Sequence, residues 1–249
     1  SETGYHGCPA ITSLKKFISP DKLWPWYDNP EWAIHATDPI PGVSHIDGRI
    51  KMMADQTLEV FGKIPDNLDD FAFASQFVQA EAKKFFVENF RLRKGRTGGI
   101  LWWNMMDGWP QISDAIVDYY FTKKLAYYFL KRVHKELCVM MSEPDSWHCQ
   151  VVIGNDSQRE RKGHFTVKRG EDKSVVLEGD FTSPANHNIT VGRIRAPRSA
   201  QELYLLEWEA DGERGANHYI LGTPPFALEQ WQRWLPIIRD LEPFEWTCN

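Results

Sequence analysis

Residues 98–120 read GGILWWNMMDGWPQISDAIVDYY. The glycine pair Gly98-Gly99 breaks whatever helix precedes it. Ile100 to Met105 is a short apolar run, suited to a strand buried on both faces as in a parallel sheet. Asp107-Gly108-Trp109-Pro110 has the composition of a turn. From Tyr119 to Val133 the spacing of Leu125, Tyr128, Phe129 and Arg132 predicts a helix. Upstream, Asp66 or Asn67 is placed to cap a long helix reaching about Arg93, whose Phe71, Phe73, Phe77, Ala80, Phe85, Phe86 and Phe90 form a core-facing set. Arg49 to Phe61 reads as another helix. Ser19 to Gly42 is a loop rich in Pro and Trp, with a short helix near Pro30 to Ala36. Ile11, Leu14, Phe17 and Ile18 again have helical spacing. Strand, helices, strand and helix together make residues 1–136 a piece of an alternating α/β architecture.

Beyond Glu136 the pattern changes to short β-prone segments: Leu137–Met141, His148–Ile153, Gly163–Lys168, Ser174–Phe181, Asn188–Ile194 and Gln201–Glu209, with Asn217–Leu221 as a further strand. Turn signals such as Gly154-Asn155-Asp156 and Asp211-Gly212-Glu213 separate them. Their spacing is that of an antiparallel sandwich, assigned to residues 137–249. Pro225 to Leu235 reads as a helical tail whose apolar residues dock it on something.

The 249 residues carry a formal net charge of −5, which argues against nucleic acid as a partner. The densest basic run, Arg91 to Arg96, reads as the basic last turn of a helix. No stretch approaches the ~18 apolar residues of a membrane span. The chain opens on Ser1, not Met, which leaves its compartment open, with the cytoplasm favoured over secretion. Cys8, Cys138, Cys149 and Cys248 lack any Cys-x-x-Cys spacing and read as reduced structural thiols, not as metal ligands. His45, Asp47 and Asp55 have no distinctive metal spacing either. Tryptophan is the outlier, at 11 residues. Indole faces stack on the C–H faces of sugar rings, while a Trp-rich core is the simpler explanation.

Two places carry candidate chemistry. Glu2, just before Thr3-Gly4-Tyr5-His6-Gly7, would project from a strand end into a loop, where barrel enzymes keep catalytic groups. Its carboxylate suits attack on an anomeric carbon. A lone Glu in such a place is, on its own, more often a solvated charge. The second place is Trp102-Trp103-Asn104 with Asp107 and Trp109. Strand alternation sends Trp102 and Trp103 to opposite faces. Trp103 offers a platform under a sugar and Asn104 a hydrogen bond to a hydroxyl, or both Trp are packing residues and Asp107 only a turn residue. His6 offers a polar wall or a substrate contact. There is no Gly-x-Ser-x-Gly elbow and no Gly-rich phosphate loop.

Taken together, Ser1-Glu2-Thr3-Gly4 and Gly99 to Pro110 resemble the C-terminal part of glycoside hydrolase family 2, in the branch of the β-mannosidases. In that family a Ser-Glu-x-Gly segment ending barrel strand seven carries the nucleophile. Strand eight carries an aromatic-Trp-Gln-x-Asn-Asp-x-Trp-Pro motif, followed by a Tyr-bearing segment (here Asp118-Tyr119-Tyr120), a Lys- and Tyr-rich helix (Lys123 to Tyr128) and a β-sandwich. The resemblance implies that residues 1–136 are the last two βα units of a TIM (β/α)8 barrel and that the sandwich is immunoglobulin-like. It makes Glu2 the nucleophile and Trp103 the sugar-facing aromatic, with Asp107 and Trp109 shaping the site floor. Asn104 stands where the family has Gln, Met106 where it has Asn, and Thr3 where an aromatic is more frequent. β-Mannoside, β-galactoside and β-glucuronide activities share this fold family, and none needs a cofactor for the two-carboxylate mechanism. A retaining enzyme needs carboxyl groups about 5–5.5 Å apart. The family's acid/base Glu follows an Asn on strand four, upstream of Ser1. The chain is therefore expected to need the N-terminal part of the barrel as its partner and to be inactive alone. The alternative is a non-catalytic carbohydrate-binding or structural protein built from the same parts.

Overall fold

The computed structural model of the protein describes residues 2–36 and 48–248. The chain separates into two compact units, one of residues 1–86, 100–130 and 245–249, the other of 87–99 and 131–244. His45 and Asp47 lie outside the described residues. Asp55 is engaged by Lys51 one helical turn away, at 2.6 Å.

In the first unit, strand β1 (Glu2–Gly4) is followed by helices α1 (Ile11–Leu14), α2 (Pro30–Ile34), α3 (Gly48–Phe61) and α4 (Leu68–Leu92), then β2 (Leu101–Trp103) and α5 (Leu125–Val133), with the last residues of α4 and α5 belonging to the second unit. Local chemistry sets these ends. The Asn29 side chain accepts from the backbone N–H of Glu31 and Trp32, with Pro30 in the first helical turn. Asn67 Oδ1 accepts from Asp70 N at 2.9 Å and caps α4. The core forms around Phe71 of α4. Trp26 stacks on it at 6.1 Å and Trp32 meets it edge-on at 6.3 Å, while Leu14, Ile50, Met53 and Ile112 close the cluster. Trp26 and Trp32 are thus packing residues, each at most 6 % exposed.

Three elements differ from their sequence reading. The helix expected from Tyr119 starts only at Leu125. The Asp118 carboxylate accepts from the N–H of both Tyr120 and Thr122, and Phe121 takes a left-handed conformation, so residues 118–124 make a turn. Helix α1 is a single turn within the run from Ile11 to Ile18. The strand at Ile100–Met105 shortens to three residues and is not buried on both faces, because Leu101 is 74 % and Trp103 55 % exposed. It pairs in parallel with β1, and among the described residues neither strand has a second neighbour.

In the second unit each β-prone segment becomes a strand: β3 (Leu137–Met141), β4 (His148–Asn155), β5 (Arg161–Arg169), β6 (Val175–Ser183), β7 (His187–Arg195), β8 (Glu202–Ala210) and β9 (Glu213–Leu221). They form two antiparallel sheets, ordered β3-β4-β7 and β6-β5-β8-β9. Val139, Val151, Ile153 and Ile194 of the first sheet share one apolar cluster with Phe165, Val167, Leu206 and Trp208 of the second. The basic run at the end of α4 is used internally. Arg91 Nη1 donates to Lys135 O at 2.9 Å and Lys94 Nζ to Asn155 O at 2.9 Å. Asp156 forms ion pairs with both side chains.

The tail is helix α6 (Leu228–Leu241), longer than its sequence reading. Leu228, Trp231, Trp234, Leu235 and Ile238 recur at helical spacing and are buried, and the helix lies against β8 and β9. Trp234 is 1 % exposed. Trp234→Ala should therefore lower the unfolding free energy by about 3–5 kcal/mol in a urea titration; a change below ~1 kcal/mol would show that the helix is not part of the cooperative unit.

Candidate functional site

Strands β1 and β2 lie in register, Glu2 beside Leu101, Thr3 beside Trp102 and Gly4 beside Trp103. Side chains alternate along each strand, so Glu2 and Trp103 share one face while Trp102 turns to the other. The burial follows this pattern. Glu2 is exposed and Trp103 is 55 % exposed, whereas Trp102 is half-buried, with the Lys83 ammonium 5.7 Å from its ring centre. A carboxylate and a bare indole thus stand on the same side of a parallel strand pair.

The peptide bond between Trp103 and Asn104 is cis. Asn104 Nδ2 donates to Met106 O at 3.4 Å, and its buried Oδ1 makes no hydrogen bond among the described residues. Asp107, 1 % exposed, braces the loop from within: its Oδ1 accepts from Gln111 Nε2 at 2.7 Å and from Ser113 Oγ. Trp109 is 42 % exposed and stacks on His35 at 5.5 Å. His35 Nδ1 in turn meets Pro110 O at 2.6 Å.

His6 stands apart from the exposed face, at 1 % exposure. It belongs to a buried polar cluster beneath the strand ends, with Lys83 of α4, Asp114 of the loop after β2, Lys124 just before α5, and Arg49 of α3. His6 Nδ1 is 3.4 Å from Asp114 Oδ1. This is not an ion pair at neutral pH, because burial, helped by Lys124, Arg49 and Lys83, pushes the imidazole down to about 3. Neither ring nitrogen makes a hydrogen bond among the described residues. Burial raises the Asp114 carboxyl against the pull of Lys83, Arg49 and Lys124, and it lowers Lys83 to about 8.

Two glycines admit this cluster. A Cβ on Gly4 would lie 2.5 Å from Asp114 Oδ1, and one on Gly7 would lie 2.3 Å from Gln79 Oε1. Gln79 Nε2 donates to the carbonyls of Tyr5, Asp114 and Ala115, and Lys124 Nζ to those of Gly7 and Ser113. Both side chains therefore sew the segment after β1 to the loop after β2. None of Lys83, Asp114 and Lys124 stands out in the sequence. The one available signal is Lys83-Lys84 inside the apolar half of a long amphipathic helix, where solvated charges are out of place.

The folded-state value of His6 lies below the ordinary 6.5, so its neutral ring favours the fold above about 6.5 and that contribution is lost as pH falls toward about 3. His6→Gln should flatten the dependence of unfolding free energy on pH between about 6 and 4 by one proton, about 1.4 kcal/mol per pH unit. An unchanged slope would mean that His6 is protonated in the fold.

A solvent-facing carboxylate beside a bare indole offers a nucleophile and a stacking platform, groups suited to a sugar ring. The similarities of the chain fall among sugar-cleaving enzymes. It is 27 % identical to β-mannosidase B of Aspergillus terreus over 190 residues, 68 % of this chain and 20 % of that protein. It is 30 % identical to β-mannosidase B of Aspergillus niger over 149 residues, 56 % and 16 % of the two chains. An exo-β-D-glucosaminidase of Arthroderma benhamiae is 31 % identical over 127 residues, 49 % of this chain and 14 % of that one. Among solved structures, a β-D-mannosidase from Dictyoglomus thermophilum shares the fold with a TM-score of 0.75 and 24 % identity, over 91 % of this chain and 28 % of that one. An exo-chitosanase from Amycolatopsis orientalis does so with a TM-score of 0.70 and 20 % identity, over 90 % and 27 %. No family model matches the chain. The resemblance to glycoside hydrolase family 2, and within it to the β-mannosidases, is therefore one of sequence as well as of fold. The chain spans about a fifth or less of the length of these relatives in sequence.

Proposed function

We propose that this chain is the C-terminal portion of a retaining β-glycosidase, with terminal β-mannosides as the favoured substrates. Residues 1–136 supply the last two βα units of the catalytic barrel, and residues 137–249 an immunoglobulin-like sandwich with a helical tail. The observation that carries this reading is the shared face of Glu2 and Trp103 on a parallel pair with no further strand neighbour among the described residues. Two-stranded parallel sheets with exposed apolar residues do not stand as finished structures, since parallel strands are covered on both faces and flanked at both edges. The missing strands of a barrel meet both needs. The order of the second unit, in which the fifth strand of seven returns to pair with the second, supports the sandwich assignment.

In this mechanism the Glu2 carboxylate attacks the anomeric carbon as the bond to the leaving oxygen breaks, and an upstream carboxylic acid gives that oxygen its proton. The glycosyl ester on Glu2 is then hydrolysed by water, with the upstream residue taking the water's proton. Trp103 underlies the sugar ring, Asn104 hydrogen-bonds a hydroxyl, and Trp109, held by His35, lines the rim. Asp107 and His6 act from beneath, by shaping the loops that carry these groups. A second reading, a sugar-binding or structural protein without catalysis, draws on Thr3, Asn104 and Met106, which stand where the family has other residues.

Incubating the protein that contains this chain with 2-deoxy-2-fluoro-β-mannosyl fluoride, followed by peptide mass spectrometry, separates the two. The expected result is a covalent adduct on Glu2, lost in Glu2→Gln, while the 249-residue chain alone gives none. Silence with this reagent and with its gluco and galacto counterparts would leave the binding or structural reading.

A further inference from the structure

The residue pair at the far end of the strands, Gly4 beside Trp103, is held by two charged side chains that the mechanism above leaves unused. Lys83 Nζ donates to the Trp103 carbonyl at 2.5 Å. The Asp114 carboxylate fills the notch over Gly4, where any Cβ would collide with it. Lys83 and Asp114 act on each other electrostatically, so the two holds are coupled. Lys83 is fully buried and Asp114 is 5 % exposed, so neither reads as a solvated surface charge. Gly4 and Trp103 lie one pleat beyond Glu2, on the same face. A shift of one strand end against the other therefore changes the offset between the carboxylate and the indole directly.

We propose that Lys83 and Asp114 are a positioning pair that fixes the Trp103 indole relative to the Glu2 carboxylate, acting through the Trp103 carbonyl and the Gly4 notch without touching substrate. The inference rests on the glycosidase reading for its consequence in turnover, but not for its geometry. A buried ammonium that donates to a backbone carbonyl is costly unless a counter-charge stands near it, and Asp114 supplies that charge. The grip has a condition. Burial holds Lys83 at about 8, against the pull of Asp114 and with the push of Lys124. The other groups facing this cluster are His6, which stays neutral, and the Arg49 guanidinium. Above about pH 8 the ammonium is lost and its hold on the carbonyl weakens.

Two arms test this. In the 249-residue chain labelled with 5-fluorotryptophan, the ¹⁹F resonance of Trp103, assigned through Trp103→Phe, should move with a midpoint near pH 8 in the wild type. It should stay fixed across that range in Lys83→Arg, whose guanidinium keeps its charge, with the far-UV circular dichroism unchanged in both. In the protein containing the chain, Lys83→Met should lower kcat about 10–100-fold with KM within about threefold, the signature of misplaced groups as opposed to lost binding. Lys83→Arg should recover most of that loss and raise the pH at which activity declines. A Trp103 resonance that ignores both pH and the Lys83 substitutions would overturn the positioning role, whatever the activity, and this holds even if Lys83→Met fails to fold. A Trp103 signal that behaves as expected in a protein that never labels at Glu2 would retain the grip but remove its catalytic purpose, and with it the proposal.

Discussion

The segment after β1 and the loop after β2 approach so closely that two side chains have to be absent for them to meet. Gly4 and Gly7 leave that room, and Asp114 and Gln79 occupy it. Everything on the exposed face depends on this approach. With a methyl group at either position the Asp114 carboxylate or the Gln79 amide would have to move. The carbonyls of Tyr5, Asp114 and Ala115 would then lose the donor they share. Buried carbonyls without donors are expensive, so the polar side chains beneath the strands are as much a part of the fold as the apolar core around Phe71.

The same cluster shows how a set of charges is kept under a sheet. Lys83, Lys124, Asp107, Asp114 and Asp118 are all at most 5 % exposed. The lysines hold backbone carbonyls, and Asp107 and Asp118 hold donors from their own loop. Four of the five charges are thus hydrogen-bonded locally, and the opposite signs, Asp114 included, offset one another across the cluster, which is what makes their burial tolerable. His6 stays neutral because it is buried, and the cations around it push the same way.

The apolar periodicities made the helices α3 and α4 and the seven strands of the second unit legible in the sequence, because in those elements burial on one face decides the structure. Legibility failed where side chains compete with the backbone. Asp118 captures two backbone N–H groups and delays α5 to Leu125, a local event that the spacing of Tyr128 and Phe129 conceals. At the site, the alternation that separates Trp102 from Trp103 was readable, whereas the register that sets Trp103 on the face of Glu2 pairs segments about a hundred residues apart and was not. His6 looked like a neighbour of Glu2, yet the chain turns inward after Gly4 and buries it. Asp114 and Lys124 gave no sign of this role, and Lys83 only the misfit of charge within an apolar helix half, since a lone Lys or Asp does not announce that its partner lies tens of residues away.

Eight of the 11 indoles fall at two extremes, and Trp24, Trp102 and Trp246 lie between them. Trp103, Trp109 and Trp147 are 42–56 % exposed, whereas Trp26, Trp32, Trp208, Trp231 and Trp234 are at most 6 % exposed. In emission, the buried set forms a blue, quencher-resistant background, and the exposed set a red shoulder within reach of acrylamide. Trp147 belongs to the second unit and Trp103 to the strand pair beside Glu2. The protein therefore carries its own optical gauge of whether the Glu2 face is open or covered. Whatever settles on that face withdraws Trp103 from solvent.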